Sequence, residues 1–509
     1  MSNDTELRIE QENTFPIIKS AVDKLVNTVK PTYGPASNKV IISKFTHRLI
    51  VDDGVQIARD FVLPDPAENA IVQHVKEVAI STNDRVGDGT TSSLIMLQAI
   101  IDQVSKKRQW FGRQIEKELK VAVGEVADQL RASAKTIETQ EDLKKVARIS
   151  YDDETIADMI SGLYFKLGKD AIITVDKSPT LETYSELSDG ITINRGYISP
   201  YMITNPERME TVLEKPYFLV TDYRITEPSD IIPIMTKMAE NNHRELVVIA
   251  ENVEQSALAT MIVNKAQGSF FTIAINAPSD GDRKVALEDI ALMLGARMFT
   301  ESKGDKLEDA TIEDLGRATR FICKRDESVI IEPKGDKSEI ATAITSLREA
   351  IKVEENEARK KDLKNRLGRF TNTIAVIKVG APTENEQKTL KYKVEDAVNA
   401  VREAYVGGVV CGGGMALARI ETSSPLLNEA LKYPSRQLTY NMGIEKVPQL
   451  KDDMAYNVVT NEVGPFMDVG VVDPVEVLIA GVESAVSVAS ILVTSHAMLV
   501  ETMKESNKQ

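Results

Sequence analysis

The sequence predicts a multi-domain fold of α and α/β type, with a helical domain assembled from both ends of the chain and an α/β domain inserted between them. Three observations predict it. Apolar residues recur at helical spacing up to about residue 133 and again after residue 379, and strands alternate with helices from about 190 to 375. At 509 residues, 42% of them hydrophobic, the chain has material for about three domains of ~150 residues.

Residues 14–33 read as a helix, because Ile17, Ile18, Val22, Leu25, Val26 and Val29 recur at helical spacing until Pro31-Thr32-Tyr33-Gly34-Pro35 breaks the pattern. The β-rich runs 39–43 and 49–52 flank Phe45-Thr46-His47 and suggest a hairpin ending at Asp53-Gly54. Helical spacing resumes over 68–82 and 90–107, joined by Asn83-Asp84-Arg85-Val86-Gly87-Asp88-Gly89, and continues over 111–133. Strands at 217–221, 246–250 and 271–276 then alternate with helices at 229–240 and 254–267. Residues 338–368 are a highly charged helical tract, read as a solvated face. After a strand at 374–379 the helical pattern returns through Lys393-Val394-Glu395-Asp396-Ala397 to Gly412-Gly413-Gly414.

Composition excludes several classes of function. The 62 Lys and Arg against 77 Asp and Glu give a net charge of −15, which disfavours nucleic acid as a partner. Cys323 and Cys411 match no disulfide framework or metal spacing, so a reducing, cytoplasmic setting is expected with both as buried small hydrophobes. The acidic start lacks the features of a signal peptide, and Glu483, Ser484, Ser487 and Ser490 interrupt the most apolar tract, so neither export nor membrane spanning is expected. His47, His74, His243 and His496 make no paired ligand spacing and no catalytic triad.

Gly87-Asp88-Gly89-Thr90-Thr91-Ser92-Ser93 puts a glycine-flexed loop and a run of hydroxyls at a helix start, where free N–H groups favour an anion. Asp88 would repel a bare phosphate unless a cation such as Mg²⁺ stood between them, and the plain alternative is an N-cap. No Walker A pattern occurs. Asp53 and Asp396 are ordinary on their own, as a turn acid and a solvated helix position. The helices at 229–240 and 254–267 carry apolar arcs wider than one buried stripe requires, so a surplus face could meet a partner.

These segments, with Arg195-Gly196-Tyr197-Ile198-Ser199-Pro200-Tyr201, Ala257-Leu258-Ala259-Thr260 and Val376-Ile377-Lys378-Val379-Gly380, resemble in order and spacing a group I chaperonin of the Hsp60 type over nearly the whole chain. The resemblance implies a chaperonin fold: an equatorial ATPase domain from 1–132 and 407–509, a small α/β intermediate domain from 133–188 and 375–406, and an α/β apical domain over 189–374. It implies ATP as nucleotide, Mg²⁺ on Asp88 and K⁺ nearby. Thr32, Tyr33, Gly34, Pro35, Gly89, Thr90 and Thr91 would hold the nucleotide at its phosphate side, Gly413, Asn457, Val458 and Asp473 at adenine and ribose. Asp53 and Asp396 would activate the attacking water. Tyr197, Tyr201, Met202, Ile232, Met235, Leu258, Ile262 and Val263 would bind unfolded clients and a co-chaperonin lid. Partners implied are the clients, the lid and copies of the chain in seven-membered rings.

Arg195 and Glu384 match a charge pair between neighbouring subunits, and Asp153 with Lys393 a second. Asp52 stands where the family usually has Lys, Val458-Val459 replaces a pair of alanines, the stretch between Gly443 and Tyr456 is short, and the C-terminal residues 506–509 carry no Gly-Met-rich tail. Such divergence suits a phage-encoded or reduced-genome chaperonin. The departures favour, as the alternative function, a ring-forming holdase or assembly scaffold with weak hydrolysis.

Overall fold

The structure is a computed structural model that describes residues 5–10, 14–35, 38–43, 48–107, 111–169, 171–206, 208–278, 282–444, 450 and 453–503. The hairpin turn at 45–47, most of the short stretch before Tyr456 and residues 506–509 lie outside them. The chain forms two compact units: residues 1–171, 175–184 and 378–509 make the first, and 172–174 with 185–377 the second. The expected intermediate segments fall mainly in the first unit.

The first unit opens with helices α1 (Thr14–Val29), α2 (Gly54–Asp60), α3 (Pro66–Val86), α4 (Thr90–Ser105), α5 (Gly112–Ser133), α6 (Gln140–Ser150) and α7 (Glu154–Leu167). Their ends follow from local chemistry. Asp65 caps α3 by accepting the Glu68 N–H at 2.9 Å with Pro66 in the first turn, and Gly87 stops that helix in a left-handed conformation. Between α1 and α2 the strands Val40–Ser43 and Arg48–Val51 pair antiparallel, as the hairpin reading expects.

In the second unit, helices α8 (Ile232–Glu240), α9 (Gln255–Ala266), α10 (Arg283–Leu294), α11 (Lys337–Val353) and α12 (Glu357–Thr371) accompany a mixed sheet. The sheet runs in the order Phe271–Asn276, Glu245–Ala250, Tyr217–Thr221, Gly316–Cys323, Ser328–Pro333, Tyr184–Ile193, Thr373–Val379, Ile172–Lys177. Its first three strands are parallel, in keeping with their helical crossovers. All five residues of Tyr217–Thr221 are buried, so the strand reads as a continuous apolar run. The charged helical tract is largely exposed, but Arg366 grips the buried Asp289 of α10 through two hydrogen bonds of 2.7 and 3.0 Å.

The chain returns to the first unit through α13 (Glu384–Gly407), α14 (Met415–Arg419), α15 (Pro425–Ala430), α16 (Tyr433–Asn441) and α17 (Val475–Thr494). Helix α17 is long and apolar enough to cross a membrane, yet 78% of its apolar window is buried in the protein. Its residues Leu478, Val482, Ala485 and Leu492 join those of α1, α3, α4 and α5 in one core, so its apolarity is that of a central packing helix. The strands Thr5–Glu10 and Met498–Met503 pair antiparallel, so the two ends of the described chain lie together. Both cysteines are buried, as expected.

Gly196 shows how the inserted unit is locked. A Cβ there would stand 2.0 Å from the Lys324 carbonyl oxygen and 2.1 Å from that of Arg325, both backbone atoms. Replacing Gly196 by Ala is expected to lower the unfolding free energy of this unit by about 3 kcal/mol, read as a fall in urea midpoint.

Candidate functional site

Four segments of the first unit meet around one half-buried carboxylate. Asp88 lies between Gly87 (φ +69°) and Gly89 (φ +78°), both in the left-handed region. The glycines are needed for space as well as for conformation: a Cβ on Gly87 would come within 2.2 Å of Asn399 Nδ2 on α13, and one on Gly89 within 2.7 Å of Val477 Cγ1 on α17. Asp88 accepts the Gly89 N–H at 2.6 Å and the Ser150 hydroxyl at 3.3 Å. Burial pushes its carboxyl above the usual range, and the charge of Asp53 adds to the shift.

Helix α4 begins at Thr90 with no side chain capping its first turn, so its leading N–H groups remain available to an anion. Asp53 caps α2, accepting the Val55 N–H at 3.0 Å. The two helix starts adjoin, because a Cβ on Gly54 would meet Thr91 Oγ1 at 2.3 Å and Thr90 Oγ1 at 3.2 Å. Asp53, Asp88, Thr90 and Thr91 are therefore one cluster, although 37 or more residues separate the first from the last two.

On a second side lie the turn after α1 and the triglycine. Thr32 is buried and its hydroxyl donates to Val29 O at 2.8 Å, which commits it to closing that turn. Gly34 (φ +93°) and Gly413 (φ +66°) both face Leu438 of α16, whose methyls would lie 2.3 and 3.3 Å from added Cβ atoms. Asn441, one turn on, donates to the carbonyls of Lys30 and Tyr33, each at 2.9 Å. Pro35 is exposed beside this turn.

Asp473 stands opposite Val410 in a two-stranded ladder and accepts the N–H groups of Gly413 and Gly414. Burial, with the charge of Asp88, pushes its carboxyl up to about 7. Desolvation, with the charges of Asp473 and Asp88, raises the partly buried phenol of Tyr33 as well.

Asn457 differs from expectation. Its amide donates to Val469 O at 3.0 Å and accepts the Val459 and Thr460 N–H groups at 2.9 and 3.1 Å. The side chain is thereby committed to its own hairpin, with Val458 partly buried in the same turn and Val459 exposed.

Helix α13, which carries Asp396, reaches the cluster through that residue's neighbours. Asn399, one turn beyond it, touches Gly87, and Lys393, one turn before it, forms an ion pair with Asp52 at 2.9 Å. The anticipated Asp153–Lys393 pair is not formed within the chain, because Asp153 caps α7 by accepting the Ile156 N–H at 3.0 Å. Glu384 pairs with Lys177 at 3.2 Å.

In the second unit the expected client surface divides. Tyr201, Ile232 and Val263 are 76, 45 and 52% exposed, and Leu258 and Ile262 are partly buried against the core. Tyr197, Met202 and Met235 are buried and offer no surface, a correction to the sequence reading. Met202 sulfur lies 3.5 Å from the Ala274 N–H and Met235 sulfur 3.9 Å from the Thr272 hydroxyl, so both methionines fill space against the sheet. Lys265, absent from the sequence reading, donates to the carbonyls of Tyr201 and Ile203 at 2.9 and 2.6 Å and so fixes the turn that presents Tyr201.

A profile of the TCP-1/cpn60 chaperonin family matches residues 25–502. The chain belongs to this family. The chaperonin gp146 from the bacteriophage EL 2 (Pseudomonas aeruginosa), crystallised in the presence of ATP-BeFx, has a similar structure in two crystal forms. One gives a TM-score of 0.66 at 22% identity, covering 97% of this chain and 98% of that one. The other gives 0.61 at 21% identity, covering 98 and 99%. At that identity the likeness is one of fold, and it establishes the chaperonin fold for this chain.

Of the residues the chaperonin resemblance nominated, Asp53, Asp88, Thr90 and Thr91 meet through the contacts above, Tyr33, Gly34, Gly413 and Asp473 gather beside them, and Asp396 lies on α13 between the two residues that touch Gly87 and Asp52. Ser150, Asn399, Leu438 and Asn441 were missed. Only Asn399 carried a signal, its i+3 spacing from Asp396 on one helix face.

The raised carboxyl of Asp473 predicts a pH effect. Ionisation is opposed in the folded state, so this group's penalty grows as pH rises from the unfolded value near 3.8 to about 7 and is constant above. Asp473→Asn should raise the melting temperature of nucleotide-free protein at pH 8, and the gain should shrink at pH 5.

Proposed function

We propose that this chaperonin-family chain is an ATP-dependent molecular chaperone that binds unfolded proteins on the apolar face of its inserted unit and encloses them in a ring cavity. The observation that carries the reading is the meeting of Asp53 and Asp88 at the uncapped start of α4, an acidic pair joined to an anion-binding helix end, with α13, the helix that carries Asp396, in contact with the same loop through Asn399. Phosphoryl transfer to water has a loose transition state, so catalysis consists of positioning and charge stabilisation. The first-turn N–H groups of α4 and the hydroxyls of Thr90 and Thr91 would hold phosphate oxygens. Asp53 and Asp396 would orient the attacking water and take its proton.

A divalent cation fits the site. Among the described residues no group of three His, Cys, Asp or Glu side chains could hold one alone. Asp88, however, is a half-buried carboxylate that feels the charge of another, and Mg²⁺ characteristically binds one or two carboxylates together with substrate phosphates. When bound it would supply charge neutralisation between Asp88 and the phosphates. K⁺, seven-membered rings, a co-chaperonin lid, a hinge made of the intermediate segments and a cytoplasmic setting complete the reading by family resemblance.

The holdase alternative is separated by turnover. Asp396→Ala should leave ATP affinity within a few-fold and lower steady-state phosphate release by at least about 100-fold. Equal release from both proteins would remove Asp396 from the mechanism. Client capture without any ATP turnover in the wild type would select the holdase. For the apolar face, Tyr201→Ser combined with Val263→Ser should weaken capture of an unfolded polypeptide about tenfold with ATP turnover intact.

A further inference from the structure

Asp396 sits between two anchors on one face of α13. Lys393, three residues before it, reaches Asp52 at 2.9 Å, and Asn399, three residues after it, lies so close to Gly87 that a Cβ there would clash at 2.2 Å. The anchored partners are the residues adjoining Asp53 and Asp88, the two other carboxylates of the site. The aromatic ring of Tyr151 lies 5.9 Å from the Lys393 ammonium, and Ser150, its neighbour in sequence, donates to Asp88. Lys393 is thus held from two directions, and the Asp52–Lys393 pair is only partly exposed, at 19 and 35%.

From this geometry we infer that Asp52 and Lys393 are positioning residues that latch α13 in place and set the approach of Asp396 to the phosphates. The inference rests on the ATPase reading above for its catalytic consequence, while the latch itself does not. Neither residue is required to touch substrate. Asp52 hangs from the backbone next to Asp53, whose N-cap fixes that stretch, so a bridge from Asp52 ties the water-activating pair together through the chain itself. The Asn399–Gly87 contact is one of packing, and the Asp52–Lys393 ion pair adds a charged fastening to it. Loss of a latch displaces a reacting group without removing it, and a displacement of about 1 Å can cost on the order of 100-fold in rate.

The experiment compares wild type, Asp52→Lys, Lys393→Asp and the double charge swap, each full length and assembled. Two quantities are read: kcat and KM for ATP, and hydrogen exchange of the amides of 388–401 in nucleotide-free protein. Each single reversal is expected to lower kcat about tenfold with KM within about twofold, and to speed exchange of that segment about tenfold. The double swap is expected to recover both. Unchanged kcat and exchange in the single variants would overturn the latch, as would failure of the swap to recover them. A rise in KM at constant kcat would also overturn it, by making Lys393 a phosphate ligand. If the wild type shows no turnover, the ATPase reading fails, and the exchange data still decide whether the pair holds α13.

Discussion

A half-buried carboxylate inside a helical unit, with a second carboxylate as its charged neighbour, is the constraint on which the site is built. Asp88 lies where ionisation is opposed by burial and by Asp53, and it accepts only one backbone N–H and one long hydroxyl bond in return. Such a group is costly to hold unless a ligand brings positive charge to it. Its surroundings serve to hold it there: two left-handed glycines admit the loop, α13 and α17 press on those glycines, and α4 starts immediately after with its N–H groups free. The acidity that disfavoured nucleic acid in the composition is here a local device, with negative charge gathered at a point where a metal–phosphate complex would relieve it.

Much of this was legible in the sequence, because it is written in local chemistry. Helical periodicity gave α1, α3, α4 and α5 close to their observed limits, and glycines flanking an acid before a run of hydroxyls marked the start of α4. The alternation of strands and helices located the inserted unit. Apolar spacing, however, reports which face of a helix is buried and says nothing about how much is covered. Met235 read as part of a surplus face, and it is packed against the sheet, as is Met202, which the resemblance nominated.

Long-range polar pairs left still less trace. Lys393 meets a residue 341 positions away, and Asp153, the partner expected for it, is taken by a helix start. Leu438 fills the space between two glycine turns that lie far apart in sequence, and no periodicity marks it. Asn457 shows the opposite failure, a residue chosen for a ligand whose amide satisfies its own hairpin. In each case the deciding fact is which neighbour arrives first in space, and one sequence does not order those arrivals.

The pairing of Thr5–Glu10 with Met498–Met503, and the burial of α17 among α1, α3, α4 and α5, bear on how the chain is made. Helices α1, α3, α4 and α5 lack their central packing partner until α17, which ends at Thr494, has been translated. At about 5–20 residues per second, the gap between the end of α7 and the end of α17 lasts on the order of tens of seconds. The inserted unit, continuous from 185 to 377, is complete well before then. Each nascent chain therefore exposes the apolar faces of its amino-terminal helices throughout that interval, the stage at which misassociation competes with packing.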